Sequence, residues 1–311
     1  MLVNLKKKVF INTQILKRKN IQKILSKVKF IARNVVYIKN FSKKTSRLGY
    51  KNNSPIILRH LNSKLLITHS NLELRLIDGD DKLVQDAQKL RYRSFFNPKI
   101  NNMMEKDEFD LISKHLVVID RSRSDSKVVG TYRLLSGSKL KKNSNFYSST
   151  EFNLSKLQKY RNNILEVGRS CVHENYRDGK IIKMLWKGLA REIISNNYKF
   201  IIGCASFPVI QATEIKQELS YLRYYHSPPP ELDPNAISTK KVNLNLIDKK
   251  KLIIPETFRK LPPLIKGYLR AGAWIGSEAI LDNKFKTIDV CVVLKSTKLK
   301  EKYLNLGKAR D

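Results

Sequence analysis

The stretch Asn163–Glu192, NILEVGRSCVHENYRDGKIIKMLWKGLARE, leaves this chain few ways to fold. It opens as a strand, crosses a polar loop with one glycine, and continues as a helix. In the helix Ile182, Leu185, Trp186, Leu189 and Ile193 fall on one apolar stripe. In the strand Leu165 and Val167 alternate with Glu166 and Gly168, so one face carries polar groups, and Arg169 lies across the pleat from Glu166. A carboxylate among apolar neighbours has a raised pKa, which suits a general base acting on an ammonium near neutral pH. The same two residues also read as a structural ion pair. Backbone N–H groups at the helix start after HENYRDGK, aided by the helix dipole, can hold a phosphate or pyrophosphate. Lys183, Lys187 and Arg191 recur at every fourth position as a basic ridge. It reads either as a solvated face or as a dock for an acidic partner protein.

Around this unit the texture is globular from about Leu65. KLLITH, LELRLI, HLVVID, KVVGTYRLL, KFIIGCAS, AWIGSEAIL and TIDVCVVL read as strands. DDKLVQDAQKLRYRSFF, begun by Asp80 or Asp81, reads as a helix, as do IQATEIKQELSYL and LPPLIKGYLRAGA. Helices and strands mix without strict alternation, so the fold class expected is α+β, a mixed central sheet flanked by helices. Cys171, Cys204 and Cys291 sit in apolar runs without metal-ligand spacing, which reads as reduced core thiols. No apolar run reaches the ~20 residues of a membrane span, and the N-terminus lacks the order of a secretory signal. The expectation is an intracellular, non-spanning protein.

Charge is unevenly placed. No Asp or Glu precedes Glu73, while residues 1–72 hold 17 of the 61 Lys and Arg, half of the formal +34. Within this segment Ile21, Ile24, Leu25, Val28 and Ile31 have helical spacing. A basic amphipathic helix suits an anionic membrane surface, where each nearby cation contributes ~1 kcal/mol. Compositional drift toward Lys, Asn and Ile reads equally well, and a basic tail can bind nucleic acid through phosphate charge. The expected domains are an extension over 1–64, a globular domain over 65–295 and a basic tail over 296–311.

The ordered blocks LRYRSFF, KDEFD, HLVVID, VVGTYRLL, LEVGRSCV, LWKGLAR, GCASF and LPPLIKGYLRAGA carry a resemblance. From Leu65 to Leu294 the chain resembles the ornithine-lipid-forming N-acyltransferases, haemolysin-like bacterial enzymes of GNAT-type fold. It is more distantly similar to acyl-homoserine-lactone synthases. The resemblance implies transfer of a 3-hydroxyacyl group from acyl carrier protein to the α-amine of L-ornithine, giving lyso-ornithine lipid. The same chemistry on glycine, glutamine or lysine is the alternative, and a non-catalytic RNA-associated protein is a reading from another class.

The resemblance also implies roles. Glu166 and Arg169 are the catalytic pair, and Arg91, Phe95, Asp107, Asp110 and Arg133 bind substrate. An arginine fork takes the α-carboxylate, and Asp107 with Asp110 takes the side-chain ammonium. Arg177, Gly179 and Lys180 hold phosphopantetheine, although the usual glycine-rich pattern is reduced here to Arg177, Asp178 and Gly179. Lys183, Lys187 and Arg191 dock the carrier protein. Neither metal nor cofactor is expected, since acyl-phosphopantetheine on the carrier is a co-substrate. Transfer is expected to be direct rather than through Cys171. The partners implied are acyl carrier protein, L-ornithine and an anionic membrane surface, with no specific nucleic acid. The place implied is cytoplasmic, peripheral at the inner membrane.

Overall fold

The computed structural model describes residues 63–96, 103–124, 128–237 and 240–299, which lie in one compact unit, Leu58–Asp311. In chain order its strands are β1 (Lys64–His69), β2 (Leu72–Asp78), β3 (Lys114–Asp120), β4 (Val128–Ser136), β5 (Phe152–Asn153) and β6 (Ile164–Val172). They continue with β7 (Phe200–Phe207), β8 (Asn235–Ala236), β9 (Lys241–Asn243), β10 (Trp274–Asp282) and β11 (Thr287–Lys295). Its helices are α1 (Leu83–Phe95), the short α2 (Phe109–Ile112), α3 (Lys180–Ser195), α4 (Lys216–Tyr225), α5 (Ile254–Lys260) and α6 (Pro263–Ala271).

Nine strands form one sheet in the order β1-β2-β3-β4-β6-β7-β11-β10-β9, and β5 pairs with β8 apart from it. Strands β3 and β4 read as continuous apolar runs because both of their faces are covered. On one face, Ile181, Leu185 and Leu189 of α3 pack on Leu74, Leu116 and Val118. A methyl at Gly188 would sit 2.8 Å from Leu74 and Leu116, so the glycine sets how closely this helix lies on the sheet. On the other face, Val84, Ala87 and Leu90 of α1 meet Ile77, Val117, Ile119 and Cys171. The start of α1 is held by Asp81, whose carboxylate accepts the Leu83 N–H at 2.9 Å, as the sequence suggests. Between β4 and β6 the chain runs through short 3-10 turns at Gly137–Lys139, Tyr147–Thr150 and Ser155–Asn163, none of which periodicity reveals.

One pair of strands differs from the rest. β6 and β7 run parallel, while every other pair among the described residues is antiparallel. Their ladder covers Ile164↔Phe200, Leu165↔Ile201 and Glu166↔Ile202 and then stops. Beyond that point Arg169 adopts φ +52°, a conformation costly for a side chain with a Cβ, and the β4–β6 register shifts between Thr131 and Arg133. At the fork a methyl on Gly203 would lie 2.2 Å from the Val167 carbonyl oxygen, so only glycine fits there. The sheet therefore splits at Glu166.

No helix among the described residues is long and apolar enough to cross a membrane. The expected amphipathic helix around Ile21–Ile31 lies outside the described residues. So does the expected extension as far as residue 62, while the 296–311 tail is described to Leu299.

Candidate active site

The fork opens a cleft of about 220 Å³ that runs through the sheet. Its walls include Tyr132, Arg133, Glu166, Arg169 and Ser170 from β4 and β6, Cys204 and Ser206 from β7, and Asp289 from β11. Phe95, Tyr147, Ser148, Leu264, Tyr268 and Phe285 close it from the flanks. Phe95, expected at the substrate, lies here with its ring edge-on to Phe285. The hydroxyls of Tyr132 and Tyr268 hydrogen-bond across the cleft between β4 and α6.

Beside the cleft sits a network of three arginines and three carboxylates. Arg91 donates from Nη1 and Nη2 to the two oxygens of Asp110 at 2.8 and 2.6 Å, and its Nε lies 2.7 Å from Glu105. Arg133 reaches both Asp107 and Asp110 through Nη1. Arg169 donates to Glu105 at 3.1 Å and to Asp107 at 2.9 Å, and its guanidinium lies over the Tyr147 ring at 4.3 Å. Burial pushes the Asp110 carboxyl up, but Arg91, Arg133 and Gln88 override it and hold it far below the usual range.

This pairing corrects part of the sequence reading. Arg91 is fully buried and does not line the cleft, so its fork serves Asp110 and Glu105. Asp107 and Asp110 are neutralised by arginines, which leaves no free charge for a second ammonium. Arg169 is paired with Glu105 and Asp107 rather than with Glu166. Glu105 closes the network by bridging Arg91 and Arg169, and no sequence pattern marks it, since it precedes the KDEFD block.

Glu166 lies at the fork itself, 4% exposed. Its carboxylate accepts the Tyr147 N–H at 2.8 Å and the Ser148 N–H at 2.6 Å, so it braces the Tyr147–Thr150 turn as well as lining the cleft. Burial raises its pKa, opposed by the Ser148 and Tyr147 hydrogen bonds. A carboxylate has about four lone-pair sites, so these bonds leave acceptor capacity for an amine.

At the other end of β6, Gly179 takes φ +92° directly before α3, and the Lys180 N–H is capped by Asp178 at 2.9 Å. Lys180 Nζ pairs with the same carboxylate at 2.9 Å, and Arg177 Nε donates back to the Val172 carbonyl at 3.2 Å. The expected docking ridge is shorter than its spacing suggests. Lys183 is exposed and Lys187 half-buried, but Arg191 donates to the Leu66 carbonyl of β1 and so braces that edge strand. Cys171 packs under α1, outside the cleft, and burial pushes its thiol up to about 12, a poor nucleophile.

A second acidic group lies against the cleft. One carboxylate oxygen each from Glu151, Asp282 and Asp289 falls within 4.8 Å of the others. Burial, then Asp289, pushes the Glu151 carboxyl up to about 8. No sequence pattern hints at this group, because its members come from the end of a 3-10 turn, a hairpin end and a core strand.

A mixed sheet that forks beside a loop-to-helix start is the architecture of a GNAT acyltransferase, and residues 90–187 match the family model described as "Acetyltransferase (GNAT) domain". The chain is 33% identical over 242 residues to the L-ornithine N(alpha)-acyltransferase of Rhodobacter capsulatus, covering 74% of this chain and 92% of that protein. It is 32% identical to the enzyme of the same name from Agrobacterium fabrum, covering 75% and 84%. The chain belongs to the L-ornithine N(alpha)-acyltransferase family and is an acyltransferase. A solved CoA-dependent acyl-homoserine lactone synthase, BjaI, matches 74% of this chain and 85% of its own at 12% identity and a TM-score of 0.40, too slight to carry an argument. The non-catalytic RNA-associated reading is thereby set aside.

Proposed function

We propose that this acyltransferase transfers a 3-hydroxyacyl group from acyl carrier protein to the α-amine of L-ornithine, releasing lyso-ornithine lipid. The observation that carries the acceptor is the relationship to enzymes named for it, over nine-tenths of the Rhodobacter capsulatus protein. The thioester lies along the part of β6 that β7 leaves unpaired, beyond Glu166. Its pantetheine phosphate reaches the α3 start beside Gly179, where it displaces the Asp178 carboxylate from Lys180 and takes its place at the helix dipole. Glu166, desolvated at the fork, takes a proton from the ornithine ammonium. The freed amine attacks the thioester carbonyl, and N–H groups of β6 after Arg169 stabilise the oxyanion. Collapse forms the amide and expels the pantetheine thiolate, which takes up, directly or through water, the second proton that the attacking nitrogen releases. The ornithine carboxylate is held by Arg133 and Arg169, which line the cleft and spend only part of their five N–H donors on the network. No step calls for a metal or redox cofactor. The basic N-terminal segment keeps the enzyme at an anionic membrane surface on the cytoplasmic side, near its lipid product.

The test is acyl transfer by the purified chain, read by mass spectrometry of the product. A 3-hydroxyacyl carrier protein and the corresponding coenzyme A thioester serve as rival donors. Ornithine, lysine, glycine and glutamine serve as rival acceptors. The reading expects ornithine with the carrier-bound donor to give the highest kcat/KM. Equal or better turnover of glycine or glutamine would overturn the acceptor, and a preference for the coenzyme A thioester would overturn the donor.

A further inference from the structure

We propose that Glu151, Asp282 and Asp289 form a subsite for the second, side-chain ammonium of the amino acid acceptor, and that this subsite makes the enzyme prefer a diamino acid. The inference rests on the ornithine reading above. Two of the three carboxylates are deeply buried, Glu151 at 7% exposure and Asp289 at 5%. Glu151 Oε2 and Asp289 Oδ1 have no hydrogen-bond partner, yet each belongs to a group whose oxygens converge within 4.8 Å. Lys240 and Lys284 line the hollow beside Glu151 and Asp282, so what marks the group is the two unpartnered, deeply buried oxygens of Glu151 and Asp289. Buried carboxylates are ordinarily paired, and an unpaired one is costly. The contrast with Asp107 and Asp110 is direct. Those two each bond two arginines, whereas Glu151 and Asp289 each keep a buried oxygen with no hydrogen-bond partner.

Position ties the group to the reaction. Asp289 is itself on the cleft wall with Glu166 and Arg169, while Glu151 and Asp282 line an adjoining hollow. The Tyr147 side chain borders both spaces. Glu151 follows directly on the Tyr147–Thr150 turn that Glu166 braces, so base and subsite share one support. Cys204 spans the interval, with its thiol donating to Ser148 Oγ at 3.5 Å, and Ser148 N–H donating to Glu166. Asp282 is fixed by the β10–β11 turn, where its Oδ1 accepts the Lys284 N–H at 2.7 Å and the Phe285 N–H at 3.2 Å. A primary ammonium offers three N–H donors to the three converging carboxylates. A hydrated divalent ion is the rival occupant, since water can complete its oxygen shell. Burial and then Asp289 raise the Glu151 pKa, as expected of a carboxylate whose cation arrives with the ligand.

The experiment compares ornithine with norvaline, which has the same carbon chain and α-amino acid head but no side-chain ammonium. The readout is the ratio of kcat/KM for the two acceptors in the wild type, Glu151→Gln, Asp289→Asn and Asp282→Asn. Loss of one charged hydrogen bond is worth roughly tenfold or more, so each variant is expected to lower the ornithine-to-norvaline ratio by about that factor. A binding arm needs no variant: ornithine should raise the wild-type Tm more than norvaline does. An unchanged ratio in the variants, or equal Tm shifts, overturns the subsite while leaving ornithine as substrate. A wild-type preference abolished by EDTA and restored by calcium or magnesium also overturns it, since the cation would then be a metal. Failure of the wild type to acylate ornithine at all overturns the substrate reading, and the subsite with it.

Discussion

Arg91 and Asp110 meet as a two-pronged ion pair out of water, Nη1 to Oδ1 at 2.8 Å and Nη2 to Oδ2 at 2.6 Å, with Arg91 wholly buried. The pair joins α1 to the short α2 helix ahead of β3. Arg133 and Arg169 extend it toward the cleft through Asp107 and Glu105. The network thus supports the two arginines that reach the cleft, and its inner members hold the fold rather than the substrate.

Asp110→Asn should therefore destabilise the fold by about 3–5 kcal/mol, because it removes the two-pronged partner of a buried guanidinium and leaves it only Glu105. The urea midpoint of the variant checks this. The wild-type pH response has a definite sign. The Asp110 carboxyl titrates lower when folded than when unfolded, so its contribution is full above the ordinary aspartate pKa of 3.8 and is lost as pH falls below it. Asp110→Asn should lose this acid-side slope.

Glu166 has two jobs, and one substitution separates them poorly. In Glu166→Gln the new amide can present only one oxygen to the paired Tyr147 and Ser148 N–H groups. Turnover should fall by ~10²-fold or more at neutral pH, with partial recovery at high pH, where more of the amine is free. Near-normal kcat in a variant with unchanged Tm would show that another group takes the proton.

Much of this arrangement was legible in the sequence, and the limits are physical. Strands and helices with unbroken apolar patterns, such as HLVVID and the α3 stripe, lie where the periodicity puts them. Glu166 reaches the cleft because it lies where β6 and β7 part, and Arg133 reaches it from β4, where it pairs with the side-chain-free Gly168. Pairing was not legible. Charge type says that Arg91 seeks a carboxylate, but only the fold decides that Asp110, rather than a ligand, supplies it. The Glu151 cluster was invisible for the same reason, being assembled from residues 151, 282 and 289 by β10–β11 pairing and a non-periodic turn.

The fork makes a prediction at Gly203. An alanine there would press its methyl to 2.2 Å from the Val167 carbonyl oxygen, and backbone cannot yield as a side-chain end can. Gly203→Ala should cost roughly 1–3 kcal/mol of stability, as overpacking does. It should also raise the KM for the acyl donor by moving the two strands apart. Unaltered values for both would mean that the strands part without strain.

Glu151 predicts an alkaline response. Its carboxyl has an ordinary value of 4.5 and stands at about 8 in the folded protein, so the folded state binds the proton more tightly. Stability should be fullest below about pH 4.5 and decline as pH rises through about 8. The groups that bear on this carboxyl are Asp289, Asp282 and Cys204, with Arg169 as the opposing charge. Glu151→Gln should flatten the decline between about pH 4.5 and 8 in Tm measurements. A slope identical to wild type would assign the titration elsewhere.

The two basic regions should answer to different partners. Lys183 and Lys187 face outward from α3, close after the Gly179 turn, so reversing both charges should raise the KM for acyl carrier protein. The same reversal should not alter activity on a short pantetheine thioester, which has no acidic carrier to dock. Added salt should mimic the effect, because exposed charges more than ~10 Å apart are screened at ~0.1 M ionic strength. Residues 1–57 lie outside the Leu58–Asp311 unit and contain basic residues but no acid. Removing them should leave turnover of the soluble donor intact while weakening co-sedimentation with anionic vesicles, most visibly at low salt. Binding to neutral vesicles separates charge from apolar insertion, since only insertion persists there. Vesicle binding that survives the truncation unchanged would place the membrane contact on the catalytic domain and leave the basic segment as composition alone.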